Sequence, residues 1–155
     1  MSEPIDMVNL VKSLPSRPRG RAAIVLTHEH SGQKKWAAEL ARQTGYDHVD
    51  LLDHFVKKVE LRSMVGQFSA SRLFDFLKDY NPAVELLIVS GIEFLKATWL
   101  GQSEAGEQFA SRVETWSQKP CLLFVMQHDR YIASRKFLRF PQYTFIVDQR
   151  ETLAL

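Results

Sequence analysis

Between Leu26 and Trp36 the chain reads LTHEHSGQKKW, and these residue types could do two kinds of chemistry. His28 and His30 are two imidazoles one residue apart, the start of a set that would hold a metal ion and polarise its water if further His or Asp ligands joined them. The other polar residues, Thr27, Ser31, Gly32, Gln33, Lys34 and Lys35, could instead surround an anion. Backbone N–H groups and a helix dipole converge where a strand turns into a helix, and both favour negative charge.

The metal alternative stops short. LTHEHS resembles the first part of the THEHSDH run of metallo-β-lactamase-type hydrolases, but Gly32 and Gln33 stand where that run has its Asp and its next His. Only about 21 residues precede the strand, too few for the longer β-rich section that leads into such a run. His48, His54 and His128 lack the spacing expected of further ligands. No metal is expected, and His28 and His30 read as solvent-facing loop residues.

The anion alternative has lost its key groups. A Walker A loop reads GxxxxGK followed by Ser or Thr, with glycines for close backbone approach, a lysine on the β and γ phosphates and a hydroxyl on Mg²⁺. Here Thr27 takes the place of the first glycine, Gly32 is kept, Gln33 stands for the lysine and Lys34 for the hydroxyl residue. The strand that should carry the Mg²⁺-holding aspartate ends LLIVSGIE, which puts Ser90 at that position and Glu93 where an ATPase would keep a base. A serine cannot anchor hydrated Mg²⁺. The two losses agree, so no residue is assigned a catalytic role and no cofactor is expected, although ATP could bind without being hydrolysed. Two alternatives stay open: an atypical ATPase using Lys34 or Lys35 as its phosphate cation, and a plain polar strand-to-helix connection. Two lysines in a helix's first turn oppose its dipole, which hints at a retained anion contact.

The elements that would position these residues alternate along the chain. AAIVLT, residues 22–27, reads as a buried strand, followed by a helix over 33–43 that ends at Thr44 and Gly45. A second strand is expected over 48–53, helices over 56–65 and 69–80, and a third strand over 85–91 whose unbroken apolar run suits a parallel sheet. A helix over 104–117, a fourth strand over 120–126, a basic helix over 130–140 and a last strand over 143–148 complete the order. Five strands alternating with helices imply an α/β fold: a three-layer αβα, P-loop NTPase-like core with a mainly parallel five-stranded sheet. Residues 1–21 form an N-terminal helix and basic linker ahead of a domain over 22–155.

In this order, the SG before a helix, LLIVSGIEFL, KPCLLFVMQHD and the basic segment before the final strand are similar to the BrxF family, the small P-loop proteins of bacterial BREX phage-defence systems. That family carries a motif like LLLDNIEILF at its third strand. Val89, Ile92, Glu93 and Leu95 agree with it, whereas Ser90 departs from its Asp and Gly91 from its Asn. A looser resemblance is to SulA, the RecA-like cell-division inhibitors that lack a P-loop. Either resemblance implies a cytoplasmic accessory protein acting through a protein partner. The first adds a DNA-linked defence complex.

Two basic stretches could serve such a partner or nucleic acid. LPSRPRGR holds Arg17, Arg19 and Arg21, and RYIASRKFLRF holds Arg130, Arg135, Lys136 and Arg139, with Arg135 and Arg139 on one face if the segment is helical. A net charge of +2 over 155 residues does not by itself imply a polyanion, so DNA contact would have to come from these clusters. The only cysteine, Cys121, lies inside CLLFVM and reads as a small buried hydrophobe, which suits a reducing cytoplasm. No apolar run approaches the roughly 20 residues that span a bilayer, so no membrane contact is expected.

Overall fold

The computed structural model describes residues 3–28, 32–99 and 104–155. Its centre is a five-stranded sheet, and every pairing in it is parallel. In chain order the strands are β1 (Ala22–Thr27), β2 (Asp47–Asp50), β3 (Leu86–Ser90), β4 (Cys121–Gln127) and β5 (Ile146–Asp148). Across the sheet they run β2-β3-β4-β1-β5. The helices are α1 (Met7–Ser13), α2 (Gln33–Thr44), α3 (Leu51–Lys57), α4 (Val59–Ser63), α5 (Ala70–Tyr80), α6 (Glu93–Thr98), α7 (Ala105–Thr115) and α8 (Arg130–Ser134).

The strand side chains alternate between two cores because successive residues of a strand point to opposite faces. On one face Ala23, Val25, Ile88, Leu123 and Val125 pack with Ala37 and Leu40 of α2 and with Met7 and Val11 of α1. On the other, Ile24, Val89 and Phe124 pack with residues of α3, α5, α6, α7 and α8, among them Phe55, Leu73, Leu95, Phe109 and Ile132. Helices therefore cover both faces, giving the three-layer αβα arrangement.

The N-terminal segment belongs to the same core. Asp6 caps α1 through Asn9 N–H at 3.1 Å, Met7, Val11 and Leu14 are buried, and Ile5 bridges to Thr152 beside the end of β5. Each buried aliphatic side chain of this kind contributes roughly 1.5–3 kcal/mol.

Five elements differ from the sequence reading, one being the last strand, which spans only Ile146–Asp148 instead of residues 143–148. The second strand ends at Asp50 rather than running to residue 53, because the Asp50 carboxylate accepts from Asp53 N–H at 3.1 Å and starts α3. The helix expected over 56–65 is split at Lys58, whose extended backbone separates α3 from α4. The basic helix expected over 130–140 stops at Ser134: Arg135 adopts φ −70°, ψ 135°, and Arg139 N–H donates to Glu114 Oε2 at 3.0 Å. Arg135 and Arg139 consequently share no helix face. Finally, α6 follows β3 directly, a helix absent from the sequence reading.

Candidate functional site

The chain leaves β1 toward one face of the sheet, carrying α2, and leaves the adjacent β4 toward the other, carrying α8. Ligands of open α/β sheets bind at the carboxyl ends of strands at such a reversal. The β1 end brings Thr27 and, across the loop, Gly32 and Gln33. The β3 end brings Ser90, Gly91 and Glu93. The β4 end brings Gln127, His128 and Asp129.

Gly32 turns the chain into α2 with φ 88°, a left-handed conformation that favours glycine. Gln33, the first residue of α2, then points across the strand ends. Its Nε2 donates to Thr27 Oγ1 at 3.1 Å and to Glu93 Oε1 at 2.8 Å, so both amide hydrogens are spent. Thr27 is buried and in turn donates to Met126 C=O at 3.3 Å. The other Glu93 oxygen, Oε2, is buried without a donor among the described residues. A neutral amide thus joins the β1 end to the start of α6.

Ser90 is fully buried and sits in a second polar cluster at the end of β3, two strands from β1. Its Oγ donates to Asp50 Oδ2 at 2.9 Å and lies 2.8 Å from His48 Nε2. A hydroxyl has one proton, and with that proton on Asp50 the imidazole must be the donor to Oγ. Burial pushes the His48 pKa down, only partly offset by the Asp50 charge. Gly91, at φ 72°, lets Asp50 close over it: a Cβ there would lie 2.6 Å from Asp50 Oδ1. Asp50 Oδ1 caps α3 and Oδ2 holds Ser90, so both oxygens are committed.

Lys34 turns away from the loop to an exposed hydrogen-bonded pair with Asp53. That bond raises the lysine's pKa and lowers the aspartate's. Lys35 is exposed. Ser31 and His30 lie outside the described residues. His28 Nε2 is 3.0 Å from Asp148 Oδ2, and its ring packs at 4.9 Å against that of His128. Arg150, bonded to Asp148 through both its side chain and its backbone N–H, holds that carboxylate well below the usual range. Among the described residues no three His, Cys, Asp or Glu side chains are grouped to hold a metal ion.

The basic residues do not form one surface. Arg17 is only 8% exposed: it donates to Gly20 C=O at 3.1 Å and Thr144 C=O at 3.3 Å and stacks over Tyr143, and burial lowers its pKa. Arg21 donates to Pro15 C=O at 3.1 Å. The Arg17 guanidinium ties the linker to Thr144 ahead of β5, and that of Arg21 closes the linker on itself. Arg135 is bidentate to Glu107 at 2.8 and 2.9 Å and reaches Glu114 at 3.2 Å. It pulls the Glu107 pKa down to about 2, with help from Tyr131. Exposed cations remain at Arg19, Arg130, Lys136 and Arg139, but Arg130 follows β4 at the carboxyl ends, whereas Arg19 precedes β1 at the opposite edge.

Asp50, His48 and Asp148 are site-end residues that the motif alignment did not single out. A polar Asp-x-x-Asp at the end of an apolar run was the available signal for Asp50, as a helix-capping pattern. Comparison with family models, curated proteins and solved structures gives no match to this chain.

Proposed function

We propose that this chain is a degenerate, non-hydrolysing P-loop-like domain that works as a cytoplasmic accessory subunit by binding a protein partner, in a DNA-linked defence assembly of the kind the BrxF resemblance implies. The observation that carries the reading is the Gln33 side chain, whose amide is bonded to both Thr27 and Glu93. A phosphate at this loop would need a cation and free donors. It would meet instead a neutral group with its hydrogens already committed and a carboxylate beside it.

The Ser90 cluster supports the same reading. A Mg²⁺ site needs a carboxylate open to the crevice, and the one in contact with Ser90, on Asp50, is held by Ser90 and the first turn of α3. No helix among the described residues is long and apolar enough to cross a membrane, which is compatible with a cytoplasmic partner.

Titration calorimetry with Mg-ATP tests the nucleotide half of the proposal: no binding is expected up to millimolar concentration. Micromolar binding that disappears in Lys34→Ala would overturn it in favour of an atypical ATPase. Purification of the tagged chain from its own cells tests the other half. A stoichiometric protein should remain after nuclease treatment, and its release by nuclease would assign the interaction to nucleic acid.

A further inference from the structure

Beside the Gln33–Glu93 bond, on the face covered by α3 to α8, the fold leaves a cavity of about 620 Å³ between α6, the start of α7 and the end of β4. Small-molecule sites commonly enclose roughly 300–1,000 Å³ and combine apolar walls with a few polar groups. Here Trp99, Phe109, Met126 and Ile132 form the walls, and all four are buried in the core they share.

The polar groups lining the cavity are unequal in sign. Among the described residues, Glu93, Glu104, Glu107 and Asp129 contribute four carboxylates against the single ammonium of Lys96. Two of the four are neutralised: Asp129 lies 3.1 Å from Lys96 Nζ, and Glu107 is held by Arg135 from outside the cavity. Glu93 and Glu104 have no cationic partner among the described residues, and Glu93 has one buried oxygen still lacking a donor. An uncompensated carboxylate beside apolar walls favours a ligand that supplies a positive donor together with apolar surface.

The geometry points to a binding site for an organic cation with an apolar body, an aryl or alkyl amine whose protonated nitrogen is held by Glu93 while its ring or chain lies against Trp99, Phe109 and Met126. Because Glu93 also holds Gln33, an occupant of this cavity touches the same side chain that fastens the β1 loop. The assignment is independent of whether that loop holds a phosphate.

Three probes that share a phenyl ring and differ in charge separate this from general apolar binding: phenethylamine, 2-phenylethanol and 3-phenylpropionate, each titrated calorimetrically into the whole chain. The amine should bind about tenfold more tightly than the alcohol, as a charge-assisted hydrogen bond gives over a neutral one, and the carboxylate should bind most weakly. Glu93→Gln should remove the preference for the amine while leaving the alcohol unchanged. Ala105→Phe, which fills the cavity from the α7 side, should weaken all three, and Ala97→Phe at the exposed mouth provides the same block if the first variant misfolds. No binding of any probe at millimolar concentration, tighter binding of the carboxylate, or an amine preference that survives Glu93→Gln would each overturn the assignment.

Discussion

Ser90→Asp, which places an aspartate where the proposed P-loop-like reading would put the Mg²⁺ ligand, should damage the fold rather than create a Mg²⁺ site. Ser90 is fully buried and gives its only proton to Asp50, 2.9 Å away. A carboxylate in its place loses that hydrogen bond, worth about 1 kcal/mol, and faces a like charge. At about 4 Å and an effective dielectric near 20 the repulsion is about 4 kcal/mol. Together these remove about 5 kcal/mol from a domain whose stability is expected to be roughly 5–15 kcal/mol. The deficit should depend on pH. Repulsion raises one pKa of the pair above the unfolded value near 3.9, so the folded variant holds an extra proton between that value and the raised one. The deficit is then smallest at low pH and grows as pH rises through the raised pKa. His48, 2.8 Å from the same atom, would take up a proton as pH falls and act in the same direction. Urea unfolding of both proteins at pH 5 and pH 8 measures this. A deficit below about 1 kcal/mol at pH 8, within the range of ordinary surface substitutions, would refute the reasoning, as would equal deficits at the two pH values.

Four further outcomes are expected. Gly32→Ala and Gly91→Ala both force alanine into a left-handed conformation, costing roughly 1–2 kcal/mol, but only Gly91 has Asp50 within 2.6 Å of the new Cβ. Thermal melts should therefore show the larger loss for Gly91→Ala, and the excess should vanish in an Asp50→Ala background. Burial lowers the His48 pKa, so below about 6.5 the unfolded chain binds a proton that the native state does not. Stability should fall as pH drops below that value, and His48→Gln should flatten the slope in pH-dependent chemical denaturation. Arg135→Ala leaves the buried Glu114 without its cation and should cost about 3 kcal/mol in urea midpoint measurements; a neutral result would mean that Glu114 is satisfied by the Arg139 N–H alone. Gln33→Lys by itself should bring neither Mg-ATP binding nor hydrolysis in a coupled phosphate-release assay, and activity in that single variant would contradict the proposed obstruction at Ser90.

The architecture was legible because it rests on strong signals. LLIVS and CLLFVMQ are apolar on both faces of the sheet, as only buried parallel strands need to be, and their order with the intervening helices implied the layers. Thr27, Gly32 and Gln33 could be placed at a strand-to-helix turn from spacing alone. What spacing could not show was how the polar ends would pair. Asp50 looks like part of a strand in HVDLLD; its spacing to Asp53 carries a capping signal, but only the fold shows that its second oxygen is the partner of Ser90. The basic segment was misread for a related reason. Arg135 and Arg139 are four apart, which suits a helix, but the long-range attraction of Glu107 and Glu114 on α7 outweighs local propensity and draws the chain out after Ser134. Charges that read as a surface face thus became internal fastenings, most clearly at Arg17.

Gln33 and Ser90 gain their meaning from the groups to which they are bonded. A lysine at position 33 would face Glu93 with no phosphate present and would be expected to form an ion pair; glutamine keeps a bond to the same oxygen and adds one to Thr27, without a charge that asks for an anion. An aspartate at position 90 would repel Asp50, whereas serine lets Asp50 settle over Gly91 and take up both a helix cap and a hydroxyl. On the proposed P-loop-like reading, each stands where a nucleotide would require a different group and is one that the surrounding chain satisfies alone. Here both amide hydrogens of Gln33, the Ser90 hydroxyl and both Asp50 oxygens have partners, and the buried oxygen left without a donor among the described residues belongs to Glu93, which also lines the cavity beneath α6. A loop whose polar groups are satisfied without a ligand is what the proposed non-hydrolysing reading requires, and Glu93 is the residue at which that loop meets the proposed cavity site.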